Sequence, residues 1–430
     1  MKHLVLALAA ASAMNAQAGP VVDGPMPFKP IAASAYGREN DIDVATAPWV
    51  IPQGYVQSIV ADEKRLDIYV GSDWTDMNTV NESGAQAGRY LYRTHEVRGT
   101  YPRVDGGSGG AVSVIDLQTG NARVLVARTA WDALDGIVWT PWRTLLVTEE
   151  IHSTRRTVPG APKATSGLVY EIMLDPQDPM SAASLTVRPL LGALAHEGIE
   201  VDPAGNVYVI DEDRKGSLYK FVPARYGDLS RGQLYALRIR NGAKTGAAEW
   251  VALDMAQAQV SARVAAAAVD ATPFCRPEDI ERIEHTLYVA LTCEDVDDPA
   301  STRGPGAILA VALGDEPAAH YVVAPGKNAP IEVKDRVTGF KNPDNLANGP
   351  DGKLWIVEDN AYSDIWVYDP RAEDANGDGY RDGVRLFASL KDKAAEGAGI
   401  YFGKDPHTLF VNLQHSGTGN DKTMAITRVP

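Results

Sequence analysis

The sequence predicts an all-β protein, a β-propeller of about six blades with short helical and loop insertions. Two observations support this class. Most of the chain consists of short apolar segments between turns rich in Gly, Pro, Asn and Asp, and only the Ala-rich stretch 256–269 has the composition of a helix. In addition, one two-strand unit recurs along the chain. A β-sandwich is the competing all-β architecture, but it provides no reason for such repetition.

The repeated unit starts with an acid, continues through an apolar strand, a turn and a second strand, and ends with further acids. The clearest copies are 197–213 and 344–359, and the same frame fits 135–150, 278–295 and 396–415, with a weaker copy at 78–96. A further strand follows most copies after a loop. Units spaced roughly 50 to 80 residues apart are typical of propeller blades.

The N-terminus has the pattern of a secretory signal. Lys2 precedes an apolar run from Leu4 to Ala13, and Ala16-Gln17-Ala18 forms a small-x-small cleavage site. We therefore expect residues 1–18 to be a signal peptide, residues 19–430 to be a single propeller domain, and the mature protein to be periplasmic or secreted. A hydrophobic first strand is the alternative. The apolar run is shorter than the roughly 20 residues that a membrane helix needs.

The net charge of −15 argues against a nucleic-acid partner, because a phosphate backbone would be repelled. We expect a monomer that acts on a small molecule and contacts neither nucleic acid nor membrane. The acids are spread along the chain, so they need a role within the fold.

The repeat suggests that role. In an antiparallel hairpin, the first residue of one strand and the last residue of the next lie at the same end. If the first strand of each blade is innermost, the acids converge on the propeller axis. The predicted ring contains Glu96, Asp135, Glu149, Glu150, Glu197, Glu212, Asp213, Glu278, Glu294, Asp344, Glu358 and Asp359.

Clustered carboxylates raise one another's pKa and are stabilised by cations. A ligand set made of oxygen atoms favours Ca²⁺, with Mg²⁺ or Mn²⁺ also compatible, so we expect several calcium ions. The alternative is that each acid is a solvated turn residue.

A separate calcium-type loop lies at 374–382, where Asp374, Asn376, Asp378 and Asp382 have the spacing of oxygen ligands. Arg385 stands where the closing Glu is usual. We expect a structural calcium site here, and the alternative is an ordinary pair of Asn-Gly and Asp-Gly turns.

Cys275 and Cys293 fall at nearly matching heights on the two strands of one predicted hairpin. We expect a disulfide that stiffens the rim, in preference to metal ligation by these cysteines.

Seven short motifs, in their order along the sequence, resemble those of the PhoX-type alkaline phosphatases, and the resemblance covers most of the mature chain. The motifs are Thr94-His95-Glu96, Thr148-Glu149-Glu150, His196-Glu197-Gly198, Asp211-Glu212-Asp213-Arg214, Arg276-Pro277-Glu278, Pro343-Asp344-Asn345-Leu346 and 410–415. The resemblance implies a propeller with a calcium-dependent phosphomonoesterase site that also uses iron. It implies metal binding by Glu149 or Glu150, Glu197, Glu278 and Asp344, and phosphate contact by Arg276.

Two features depart from the family pattern. Thr148 stands where the family usually has a cysteine that ligates iron, and the signal lacks a twin-Arg pair. We therefore expect calcium, alone or with another divalent ion, in preference to iron.

Together, these features predict an exported, metal-dependent phosphatase that hydrolyses phosphate monoesters. Arg276 would clamp the phosphate, and Glu197 and Glu278 would complete the catalytic set. For Arg276, a salt bridge within the acid ring is the alternative. The alternative functions are a calcium-dependent lactonase or esterase, a phosphodiesterase or phosphotriesterase, and a non-enzymatic binding propeller stabilised by calcium.

Overall fold

The computed structural model describes residues 21–35, 43–154, 156–331 and 339–429. The predicted signal peptide, residues 1–18, lies outside the described residues. The N-terminal elements are β1 (Trp49–Val50), β2 (Tyr55–Asp62) and the short helix α1 (Glu63–Leu66).

The later strands form six successive antiparallel groups within the described ranges. The first three groups are β3 (Thr75–Val80), β4 (Tyr90–His95), β5 (Ala111–Asp116) and β6 (Ala122–Ala127); β7 (Leu134–Trp139), β8 (Thr144–Glu149), β9 (Val169–Asp175) and β10 (Asp178–Val187); β11 (Ile199–Val201), β12 (Val207–Ile210), β13 (Leu218–Pro223), β14 (Gly232–Ile239) and β15 (Gly246–Ala252). The last three are β16 (Pro277–Ile283), β17 (Thr286–Leu291), β18 (Ala307–Ala312) and β19 (Ala318–Val323); β20 (Pro343–Asn348), β21 (Leu354–Glu358), β22 (Asp364–Tyr368) and β23 (Arg385–Leu390); β24 (Glu396–Phe402), β25 (Thr408–Gln414) and β26 (Lys422–Arg428).

The first strand of each group is innermost. These inner strands, β3, β7, β11, β16, β20 and β24, contact one another in a closed ring. Strand β15 also pairs with β19, so the third and fourth groups share one nine-stranded sheet. The predicted propeller class is confirmed by this arrangement.

The ring is closed by strands from both ends of the chain. Strand β2 pairs with β26 along the outer edge of the last group, and β1 pairs with β23 in the group before it. Each N-terminal strand thus completes a sheet that is otherwise built from C-terminal strands, which covers an edge that would expose unpaired backbone groups.

The core lies between neighbouring sheets. Strands β12 and β21 are buried along their whole length and consist largely of branched and aromatic residues, which favour strands packed on both faces. The predicted helical insertion is helix α2 (Met255–Ala267), and the Asp254 carboxylate caps its N-terminus. Two 3₁₀ turns span Pro189–Leu191 and Arg240–Gly242. Among the described residues, no helix has the length and apolar character needed to cross a membrane.

A β-bulge near the start of four inner strands affects the position of the site residues. In β3, β7, β16 and β20, the register to the second strand shifts just after the first residue pair. Such a β-bulge changes the direction in which the neighbouring side chains point. The second residue of each of these strands is an acid that faces the axis: Asp76, Asp135, Glu278 and Asp344.

Candidate functional site

A cavity of about 300 Å³ opens on the axis at the end where the inner strands begin. Its lining is dominated by acids, with two arginines at the rim. The lining residues are Trp74, Asp76, Glu96, Arg98, Asp135, Glu150, Glu197, Arg276, Glu278, Asp344, Asp359, Glu396, Gln414 and His415. We call it the axial cavity.

Three acids in this cavity lie especially close together. Glu197, Glu278 and Asp344 are buried, and one carboxylate oxygen of each lies within 4.8 Å of the other two. Burial, followed by the charge of neighbouring carboxylates, raises the pKa of all three, that of Glu278 to about 7. The set contains only oxygen donors, which suits a hard cation.

A neighbouring acid shows the same need for a cation. Asp135 is buried, and its Oδ1 accepts no hydrogen bond from any described residue. Burial followed by the charge of Asp76 raises its pKa well above the usual range. A buried carboxylate without donors is costly unless it is protonated or binds a cation, so the residues present fit a metal-binding role.

A second group includes a nitrogen donor. Glu150, His152 and Glu212 each offer one ligand atom, all within 4.8 Å of one another. His152 Nε2 lies 2.9 Å from the Glu212 carboxylate, and this hydrogen bond raises the imidazole pKa. His152 was not among the predicted ligands, although its position two residues after Glu150 was an available signal.

Two arginines bridge the acids at the rim. Arg276 contacts the Glu212 carboxylate through Nε, and the same atom lies 3.0 Å from Glu278 Oε1. Arg98 contacts both Glu96 and Glu150. Arg276 thus forms salt bridges within the acid ring, and phosphate contact by Arg276 stays a prediction. Arg276 is about one third exposed and is within reach of a ligand in the cavity.

Five acids of the predicted ring do not line the axial cavity, which corrects the prediction that all of them converge there: Glu149, Glu212, Asp213, Glu294 and Glu358. Glu149 binds Arg156, the Tyr170 hydroxyl and the Leu168 amide. Glu358 accepts hydrogen bonds from the Lys341 amide and Trp366 Nε1, and Glu294 accepts them from the Cys275 amide and the Tyr321 hydroxyl.

The physical reason is the alternation of side chains along a strand. In the pairs Glu149-Glu150 and Glu358-Asp359, the first acid ends the strand and bonds to an aromatic side chain of the next strand, and the second reaches the cavity. Asp213 also lies outside the cavity lining, where Arg263 pairs with it at 2.8 Å. Glu212 does not line the cavity but contacts its rim through Arg276.

The structure adds cavity residues that were not predicted as ligands. Asp76 lies two residues before the start of the weak copy 78–96, at the second position of β3, which corresponds to the position of Asp135 in β7. Glu396 opens a recognised copy, yet it was not included in the ring. Trp74, Arg98, Gln414 and His415 complete the missed set.

The other sequence motifs lie away from the axial cavity. In the 374–382 loop, the Asp374 carboxylate accepts hydrogen bonds from the Gly377 and Gly379 amides, and Asn376 Nδ2 donates to Asp378 Oδ2. The Asp382 carboxylate accepts from the Ala375 amide. Calcium binding by this exposed loop stays a prediction.

The predicted disulfide between Cys275 and Cys293 is present, with Cα atoms 5.2 Å apart. It joins the residue just before Arg276 to the end of the same hairpin. Thr148, which stands in place of the family cysteine, is buried and donates a 2.9 Å hydrogen bond from Oγ1 to the Glu197 carbonyl. Its hydroxyl therefore joins neighbouring sheets and is not among the groups that line the cavity.

Comparison with solved structures agrees with this fold. Pseudomonas fluorescens PhoX in complex with vanadate, a transition state analogue, is similar with a TM-score of 0.65 and 19% sequence identity, covering 94% of this chain and 98% of that one. A gluconolactonase from Xanthomonas campestris has a TM-score of 0.48 and 14% identity, with 96% and 98% coverage. The second likeness is too distant to support a functional conclusion.

Sequence comparison identifies the family. A search of curated protein sequences finds no match. The family model described as alkaline phosphatase PhoX, however, matches residues 99–417, which is well over half of the chain. The chain therefore belongs to the PhoX family of alkaline phosphatases.

Proposed function

We propose that this protein is a metal-dependent phosphatase that hydrolyses phosphate monoesters in the axial cavity. The observation that carries the proposal is the ring of buried acids with Arg98 and Arg276 at its rim, in a chain of the PhoX family. Acids alone would repel a phosphate. The arrangement makes chemical sense when the acids hold cations and the arginines face the ester.

The close oxygen set Glu197, Glu278 and Asp344 would hold a calcium ion, and Asp135 lies in the same cavity. The set Glu150, His152 and Glu212 would suit a second divalent ion, because imidazole is a ligand for softer cations than calcium. Bound cations neutralise phosphate oxygens and lower the pKa of a coordinated water.

The residues of the chain supply binding and orientation. A guanidinium group matches two phosphate oxygens at once, so Arg276 would fix the ester while Glu212 and Glu278 hold the arginine in place. Arg98, held by Glu96 and Glu150, would contact the phosphate from another side of the rim. Fixed positive charge at the rim stabilises the charge on the transferred phosphoryl group.

The central test is hydrolysis of p-nitrophenyl phosphate by the purified protein, before and after chelation and again after calcium is restored. We expect activity that is lost with the chelator and returns with calcium. Glu278→Gln should abolish turnover and keep the circular dichroism spectrum of the wild type. Glu316→Gln, which changes an exposed acid, is the matched control.

Parallel substrates separate the alternatives. Preference for a bis-p-nitrophenyl diester would indicate a phosphodiesterase, and turnover of a lactone alone would indicate a lactonase. A chelator that lowers the melting temperature of a protein with no turnover of any ester would support the binding propeller. Full activity in Glu278→Gln would remove the axial site.

Metal identity requires elemental analysis of protein purified without chelators. We expect calcium in several equivalents and no stoichiometric iron, because Thr148 cannot provide the thiolate that the family cysteine provides. Iron at one or more equivalents would overturn the calcium assignment.

N-terminal sequencing of the exported protein tests the cleavage near Ala18; a mature chain that begins at Met1 would contradict the proposed export.

A further inference from the structure

A second cavity, of about 660 Å³, lies at the opposite end of the axis, where the inner strands finish. Its walls come from all six inner strands, and its acidic side chains belong neither to the proposed catalytic set nor to the family motifs. We call it the distal cavity. The lining residues that matter here are Asn78, Glu82, Trp139, Glu200, Glu281 and Tyr401.

The distal cavity has more acidic than basic side chains. Glu82, Glu200 and Glu281 line it, together with Asp279, whose oxygens already accept the Ile280 and Leu346 amides. Arg282 is the one Lys or Arg side chain among its described lining residues, 3.3 Å from Glu200. Besides Asp279, Glu82 and Glu281 are therefore left without a cationic partner in the lining, although Glu82 accepts a hydrogen bond from the Tyr401 hydroxyl and Glu281 accepts one from the Arg282 amide.

These acids are not arranged for one metal ion. Among the described residues, the groups of three ligands close enough to share an ion both lie near the axial cavity, and neither contains a distal acid. Glu200 and Glu281 lie on the neighbouring inner strands β11 and β16, whereas Glu82 follows β3 on the opposite side of the ring. A ligand that satisfies them needs positive charges at more than one point along its length.

Two further features specify the ligand chemistry. Asn78 is only 2% exposed, and its Oδ1 accepts no hydrogen bond from the described chain, although its Nδ2 donates to the Gly399 carbonyl at 2.6 Å. A buried acceptor of this kind calls for a donor. Trp139, Tyr401 and Phe402 add aromatic surface to the walls, which attracts both alkyl chains and organic cations.

We propose that the distal cavity binds an extended organic cation with two or more ammonium groups, of the linear di- or polyamine class. Ammonium groups only donate hydrogen bonds, so they match the carboxylates and Asn78 Oδ1. The methylene segments between them would pack on Trp139 and Phe402. The acidic wall disfavours anionic ligands, including the phosphate esters expected at the other end.

The test is titration calorimetry with spermidine, using calcium-saturated protein at constant ionic strength so that the axial acids are already neutralised. We expect one spermidine per chain. Glu200→Gln and Glu281→Gln should each weaken binding about tenfold, because each removes one ammonium partner. Glu316→Gln, an exposed acid elsewhere, should bind as the wild type does. Hydrolysis of p-nitrophenyl phosphate should be unchanged in the two distal variants.

Propylamine, with one ammonium group, should bind at least about tenfold more weakly than spermidine. Equal binding of the two amines, or wild-type affinity in both distal variants, would overturn the proposal. Loss of spermidine binding in Glu278→Gln with full binding in Glu281→Gln would assign the amine to the axial cavity and would also overturn it. Trp139→Leu provides a second variant if either acid replacement misfolds, and we expect it to weaken binding as well.

Discussion

At the scale of single residues, neighbouring acids of one motif have different roles. Glu149 is fully buried and supports the structure through Tyr170 and Arg156, whereas Glu150 faces the axial cavity and Arg98. Consecutive side chains of a strand point to opposite faces, so the two residues have different surroundings although both are glutamates. A motif of two acids therefore supplies one candidate ligand and one structural acceptor.

The pair Glu149 and Glu150 provides a matched test of this difference. Glu149→Gln should retain the metal content of the wild type but lower the free energy of unfolding by about 2 to 4 kcal/mol, because Arg156 loses its buried partner. Glu150→Gln should lose bound metal with a smaller effect on stability. Elemental analysis and urea denaturation measure the two quantities, and equal metal loss in both variants would contradict the assignment.

Arg276 should be sensitive to a change that keeps its charge. Lysine cannot bind two phosphate oxygens in one plane, so Arg276→Lys should lower kcat/KM for p-nitrophenyl phosphate about 100-fold. Arg128→Lys changes an exposed arginine and should have no effect. Should Arg276→Lys retain wild-type kcat/KM, the residue would act only as a salt bridge within the ring.

At the scale of elements, the hairpin of β16 and β17 carries much of the site. Glu278 is the second residue of β16, Arg276 precedes the strand, and the Cys275–Cys293 disulfide ties the two ends of the hairpin at the same rim. The recurring bulge places the acid toward the axis, and the disulfide restrains the segment that presents the arginine. Alternating hydrophobicity predicts the hairpin, but it does not predict the register shift.

The disulfide should contribute substantially to stability. It closes a loop with a sequence separation of 18 residues, for which restriction of the unfolded chain is worth about 3 kcal/mol. A variant with Cys275→Ser and Cys293→Ser should lose about this amount in urea denaturation. Dithiothreitol should destabilise the wild type and leave the double variant unchanged. Equal sensitivity of both proteins to the reductant would contradict this role.

At the scale of the whole molecule, ring closure concentrates charge. The six inner strands meet around one axis, and β2 holds the ring shut by pairing with β26. The same closure brings the acids of separate sheets within contact distance, where they raise one another's pKa. Fold stability and cation binding are therefore expected to be coupled.

Metal removal should reveal this coupling. Calcium at about 100 times its Kd would stabilise the protein by about 2.7 kcal/mol, so chelation should lower Tm by about 3 °C. Glu197→Gln removes one charge from the closest acidic group and should reduce this response. Glu281→Gln, in the distal cavity, should respond as the wild type does. Identical chelator responses in Glu197→Gln and the wild type would show that this group does not hold the stabilising ion.

The sequence by itself determined the propeller class, the repeated hairpins and the convergence of their acids, because strand patterning and acids at hairpin ends are local properties. Of the predicted ring, Glu96, Asp135, Glu150, Glu197, Glu278, Asp344 and Asp359 line the axial cavity. Only the tertiary structure decided that Asp76 and Glu396 join them and that Glu149, Glu212, Asp213, Glu294 and Glu358 do not. The reason is that bulges, strand ends and contacts between sheets set the direction of each side chain, and these depend on residues far apart in the chain.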